Sequence, residues 1–135
     1  MAGFFTDYSN NKVLDLFFGA VPFTPPTTLY VGLAQNTANK RGLTTEPSGG
    51  GYFRVAVSNS RTNFPAANFG AKSNTALIAF PVPTADWGTV QSLFLADSPS
   101  GGNILAMADL TSPIPILNGS PAAKVAVGAL FLSHT

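Results

Sequence analysis

The stretch Pro25-Pro26-Thr27-Thr28-Leu29-Tyr30-Val31-Gly32-Leu33 decides how this chain must fold. Two prolines prevent any upstream helix from running into it. Leu29, Val31 and Leu33 then alternate with Tyr30 and Gly32, and a period of two places alternate side chains on opposite faces of a strand. The pattern recurs downstream. Phe53, Val55 and Val57 alternate with Tyr52, Arg54 and Ala56, and Leu77 to Phe80 is a short apolar run stopped by Pro81 and Pro83. Val90 to Ala96 and Ile104 to Leu110 follow, and Val125, Val127, Ala129 and Phe131 alternate with Lys124, Ala126, Gly128 and Leu130. Weaker runs lie near Phe64–Phe69 and Ile114–Leu117. Ser48-Gly49-Gly50-Gly51, Asp97 to Gly102 and Asn118-Gly119-Ser120-Pro121 separate them as turn signals. Short, punctuated strands predict a mainly β chain, a β-sandwich or jelly roll of about seven or eight strands over 27–135.

Upstream of the prolines the period changes. Val13, Leu14, Phe17 and Phe18 fall on one helical stripe, which predicts one short N-terminal α-helix over 9–18. Asp7 or Ser9 is placed to accept from its free N–H groups, and Gly19 to end it in a left-handed conformation. About ten residues of helix are marginal alone, so the Phe-rich face is expected to dock on the sheet. Residues 1–8 are then an N-terminal arm, and Phe4, Phe5 and Tyr8 are candidates to lie on a partner or on this domain's own core.

Gln35 to Gly51 is the longest segment without a strand pattern, and it holds Lys40, Arg41 and Glu46. It reads as an exposed arm or an interface loop. Its glycine triplet lacks the Lys-Ser/Thr pair of a phosphate loop and leads into a strand. A positive φ at Gly50 or Gly51 is the expected use of those glycines. Trp87, in Asp86-Trp87-Gly88, is either a plug over one end of the sandwich or a contact to a neighbour. The candidate interface residues are therefore Phe4, Phe5, Tyr8, Lys40, Arg41 and Trp87.

Composition narrows the function. The 135 residues suit one domain, 1–135. There is no Cys, and His134 is the single His, so no thiol nucleophile, disulfide scaffold or ordinary zinc set can form. The six acids Asp7, Asp15, Glu46, Asp86, Asp97 and Asp109 are scattered, mostly beside turns where Asp caps backbone N–H groups. No catalytic, cofactor or metal residue is assigned, and an enzyme is not expected. The basic residues form no run and the net charge is +1, so a nucleic-acid partner is not expected. Met1 to Phe5 lacks the basic region of a signal peptide. No apolar run is long enough for a membrane helix. Charged residues make up 10% of the chain, against about 25% in a usual soluble domain. Such a surface resists association poorly, and cover by other subunits explains it.

The ordered segments also resemble a family. Asn11 to Gly19, Thr28 to Leu33, Glu46-Pro47-Ser48-Gly49-Gly50-Gly51-Tyr52-Phe53-Arg54-Val55-Ala56-Val57, Phe80-Pro81, Asp86-Trp87-Gly88-Thr89-Val90, Gly101 to Ala106 and Gly128-Ala129-Leu130 carry the likeness. Together they are similar to small virion proteins of tailed bacteriophages, variously labelled capsid decoration (cement), minor structural or tail fibre proteins. Asn118 to Lys124 departs from the approach to the family's last strand. The resemblance implies a virion structural protein with a β-sandwich fold and no catalytic residues. The expected role is decoration of the outer capsid surface, as a homotrimer bound to the major capsid protein and to sister copies. A tail fibre or baseplate component, with tail proteins or a host receptor as partner, is the alternative. Synthesis in the host bacterial cytoplasm fits the lack of Cys.

Overall fold

The computed structural model describes residues 1–133, with Ser133 described by its backbone. His134 lies outside the described residues. Among the described residues, nine strands and one helix follow in chain order: β1 (Ala2–Phe5), α1 (Asp7–Phe17), β2 (Thr28–Ala34), β3 (Val55–Ser58), β4 (Ala71–Ser73), β5 (Ile78–Ala79), β6 (Gly88–Ala96), β7 (Ile104–Ile116), β8 (Lys124–Val125) and β9 (Phe131–Ser133). Seven strands form one sheet in the order β3-β2-β6-β7-β1-β9-β4, and β5 and β8 form a second. The chain is mainly β with one helix near its N-terminus, as its periodicity predicts.

The period of two explains the core. Leu29, Val31 and Leu33 of β2, Leu93 and Leu95 of β6, and Ala106 and Ala108 of β7 share one face. Ile78 and Val125 of the second sheet join this cluster, with Phe64, Phe80 and Trp87. The opposite face carries Ala34, Phe94, Ala96 and Met107, with Ala38 of the long loop packed on them. Both faces of the central strands are therefore covered.

Residues 1–8 are not an arm. β1 lies inside the large sheet, antiparallel to β7 and parallel to β9. Its backbone groups find partners on both sides, which an arm would leave to solvent. The helix starts two residues before the expected 9–18. Thr6 is its N-cap residue but makes no side-chain cap bond. Neither Asp7 nor Ser9 caps it: Ser9 Oγ donates to Leu105 O at 2.7 Å, which ties the first turns to β7. The helix ends at Phe17, and the left-handed residue beyond it is Ala20 (φ 52°), not Gly19.

Two strand expectations are corrected. The alternation from Val125 to Phe131 is not one strand. The chain leaves the small sheet after Val125, turns at Ala126–Ala129, and enters the large sheet as β9. Buried Asn74 holds this crossing: its Nδ2 donates to Ala76 O and Ala126 O, and its Oδ1 accepts from Leu130 N. Of the weak runs, Ile114–Leu117 is strand only through Ile116, as the end of β7 beyond Pro113, with a shift in pairing between Val90 and Ser92. Prolines are tolerated at such irregularities. Phe64–Phe69 is no named strand; Phe64 N donates to Ser60 O in a turn, and Asn68 forms a bridge to Ala71.

Candidate interaction surface

The long loop is tethered. Gln35 N donates to Thr45 O at 2.8 Å, Asp7 N to Lys40 O at 2.7 Å, and Ala38 N to Asp109 Oδ1 at 2.7 Å. Its far end is fixed by Glu46. Arg54 grips that carboxylate with two bonds, Nε to Oε2 at 3.1 Å and a terminal nitrogen to Oε1 at 2.6 Å. Arg54 also donates to Ser98 O and Gly101 O, and its guanidinium stands 5.0 Å from the Phe94 ring centre. Tyr52 OH donates to Glu46 Oε2 at 2.7 Å and accepts from Leu33 N. Burial pushes the Glu46 carboxyl up, but the bonds from Arg54 and Tyr52 and the Arg54 charge outweigh it and hold the group below its ordinary range. Burial, with the adjoining Glu46, drives the Tyr52 phenol well above its usual value, against the bond from Leu33 N. This half-buried ion pair, with Arg54 buried and Glu46 partly exposed, explains the Glu-Pro-Ser-Gly-Gly-Gly-Tyr-x-Arg segment as a clamp on two loops.

Gly49, Gly50 and Gly51 all have positive φ (70°, 60° and 78°), as the triplet predicts. The reason is close approach as well as turning. A Cβ on Gly50 would stand 3.0 Å from Trp87 Nε1, which donates to Gly50 O at 2.9 Å.

The six candidate interface residues do not form one surface. Trp87 is only 2% exposed, packed edge-on to Tyr52 at 5.2 Å. It is a core residue, packed inside the main cluster. Phe4 and Lys40 do meet, with Nζ 4.9 Å from the ring centre. Phe5 is half-buried against the main core. Tyr8 is half-buried beside Lys12, whose Nζ stands 5.4 Å from its ring centre. Arg41 is exposed in the turn after Lys40.

The exposed apolar surface is elsewhere, where periodicity placed core. α1 has no buried residue. Phe17 is 72% and Phe18 81% exposed, and Leu14, Leu16 and Val21 are exposed too. The expected docking of this Phe-rich face fails because β1 already occupies the sheet beside β7, and the helix is held by its first turns. Toward the sheet, Ser9, Lys12, Val13 and Leu16 line a groove of about 510 Å³. The sheet supplies Phe5, Leu29, Leu95 and Leu105 to that groove, and Lys12, Arg61 and Lys72 line it too. Phe53 and Phe131 are exposed as well, and Phe69 is fully exposed at a hairpin tip in left-handed conformation (φ 51°). Among the described residues, no three His, Asp or Glu side chains converge as a metal would require, and no helix is long and apolar enough to cross a membrane.

A family model described as Podophage GP4 fiber I protein gp80 matches residues 4–133. The chain belongs to this phage fibre protein family. The resemblance carried by its glycine-rich and Asp-Trp-Gly segments is thereby confirmed, and the chain is a bacteriophage virion structural protein. A search of the curated proteins finds no match. Family membership gives the exposed helix end a context, since a virion component works by contact with other chains.

Proposed function

We propose that this chain is a non-enzymatic structural subunit of the fibre apparatus of a podophage virion, joined to sister copies and neighbouring virion proteins by apolar contact. The observation that carries the reading is the exposed apolar end of α1, Leu14, Phe17, Phe18 and Val21, on a family member whose described relative is a fibre protein. Monomeric proteins rarely leave contiguous apolar patches of this kind uncovered unless a partner uses them. The interaction is burial of apolar area, worth about 25 cal/mol per Å² before association costs.

Capsid decoration, as a homotrimer on the outer shell against the major capsid protein, is the second reading. The low charge of the chain, 10% of residues, favours it, because cement proteins contact both shell and sister copies. A host receptor as partner belongs to the fibre reading alone.

Labelling the protein on purified particles and counting its copies separates the two. Label confined to the tail region, with copies far fewer than those of the shell protein, supports the fibre subunit. Label spread over the shell, in numbers that track the shell protein, overturns it in favour of decoration.

A further inference from the structure

The residues of helix α1 and its end have two fates. Ser9, Lys12, Val13 and Leu16 face the groove. Leu14, Asp15, Phe17 and the C-cap residue Phe18 are exposed on the solvent side and do not line the groove, although Phe17 stands at its edge, one turn beyond Val13. On that outer side Phe17 and Phe18 pack edge to face, with ring centres 6.4 Å apart, as a single aromatic knob. Asp15 sits beside Phe18 at i, i+3 spacing, and among the described residues no ion pair holds its carboxylate. The groove is complementary to this knob in both respects. Its walls are largely apolar, and Lys12, Arg61 and Lys72 line it with no carboxylate among the lining residues.

We infer that the groove of one copy takes the Phe17-Phe18 knob of a second copy, with Asp15 of the incoming copy set against Lys12, Arg61 and Lys72. Phe17 and Phe18 are exposed and neither lines the groove, so a chain does not fill its own groove with its own knob. The contact is heterologous, and repeating it generates a ring or an open filament. The inference rests on the fibre reading for its biological setting only. Its test uses purified protein without particles, so a shell location would sink that reading and leave this contact standing.

Sedimentation velocity over a dilution series reads the contact. The wild-type chain is expected to gain mass with concentration. Phe17→Ser/Phe18→Ser, at exposed positions, is expected to keep its circular dichroism and melting curve while self-association weakens by roughly tenfold or more, the loss typical of an aromatic anchor. Arg61→Glu/Lys72→Glu should weaken it from the groove side. Mixing the two variants joins an intact groove to an intact knob, and a complex of one chain of each that grows no further is expected. A wild-type chain that stays monomeric throughout overturns the inference. So does a folded Phe17→Ser/Phe18→Ser variant that associates like wild type, or a mixture that remains monomeric.

Discussion

Gly32 and Phe94 show how one residue choice constrains the next. They are paired across β2 and β6, and a Cβ on Gly32 would collide with the buried Phe94 ring. The ring in turn faces Arg54, which holds Glu46. Gly32→Ala therefore overpacks a site with no slack and should cost about 1–3 kcal/mol in denaturant unfolding. Glu46 is the titratable member of this group. Its folded pKa is depressed, so its contribution is present above the unfolded carboxyl value and is lost as pH falls through the folded value. Glu46→Gln should destabilise by about 1–2 kcal/mol near neutral pH, because buried Arg54 loses its countercharge while keeping its bonds to Ser98 O and Gly101 O. That difference from wild type should shrink as pH is lowered below about 4.3, the ordinary Glu value. A gap that persists undiminished into strong acid would show that charge is not what Glu46 supplies.

Helix and strand behave differently from their sequence-based expectations at the level of elements. Phe17 looks like a core residue by period, yet it is exposed, so Phe17→Ala should change stability by no more than about 0.5 kcal/mol. Phe94→Ala, by contrast, should cost about 3–5 kcal/mol. Equal losses at the two positions would contradict the exposure of α1. Ala2–Phe5 is the opposite case. As β1 it pairs with both β7 and β9, so deleting it leaves two strands with open edges and should abolish cooperative melting followed by circular dichroism. The hairpin at 68–71 carries Phe69 and Gly70 at positive φ (51° and 75°), as a two-residue type I′ turn requires. Phe69→Asn supplies the favoured Asn-Gly pair and should raise stability by about 1 kcal/mol.

Over the whole molecule, protection should follow burial. β2, β6 from Val90 onward and β7 through Ala108 are covered on both faces, whereas the second half of β7, α1 and 65–70 are largely exposed. Native-state hydrogen exchange should find the slowest amides in the three central strands and the fastest in the last turn of α1 and the 65–70 segment. Slow exchange at the end of α1 in dilute protein would mean that it is covered by this chain itself.

Most strand positions were legible because a strand half in the core writes a period of two, and Pro and Gly mark its ends. Leu29-Val31-Leu33 shows that alternation, while Val90 to Ala96 reads instead as a short apolar run because both its faces are covered. The glycine triplet was legible too, since three successive glycines before a strand serve left-handed turning and close approach. The fate of Phe17 and Phe18 was not legible, because period reports that a face is apolar and not what covers it. Nor was the placement of β1. Ala-Gly-Phe-Phe is too short to show alternation, and its partners β7 and β9 lie about a hundred or more residues downstream. The Glu46–Arg54 clamp likewise depends on a loop returning to the sheet. Local sequence thus determined which segments are strands and where they stop. Only the tertiary structure decided which strands neighbour one another, and so which apolar face was left outside for another chain.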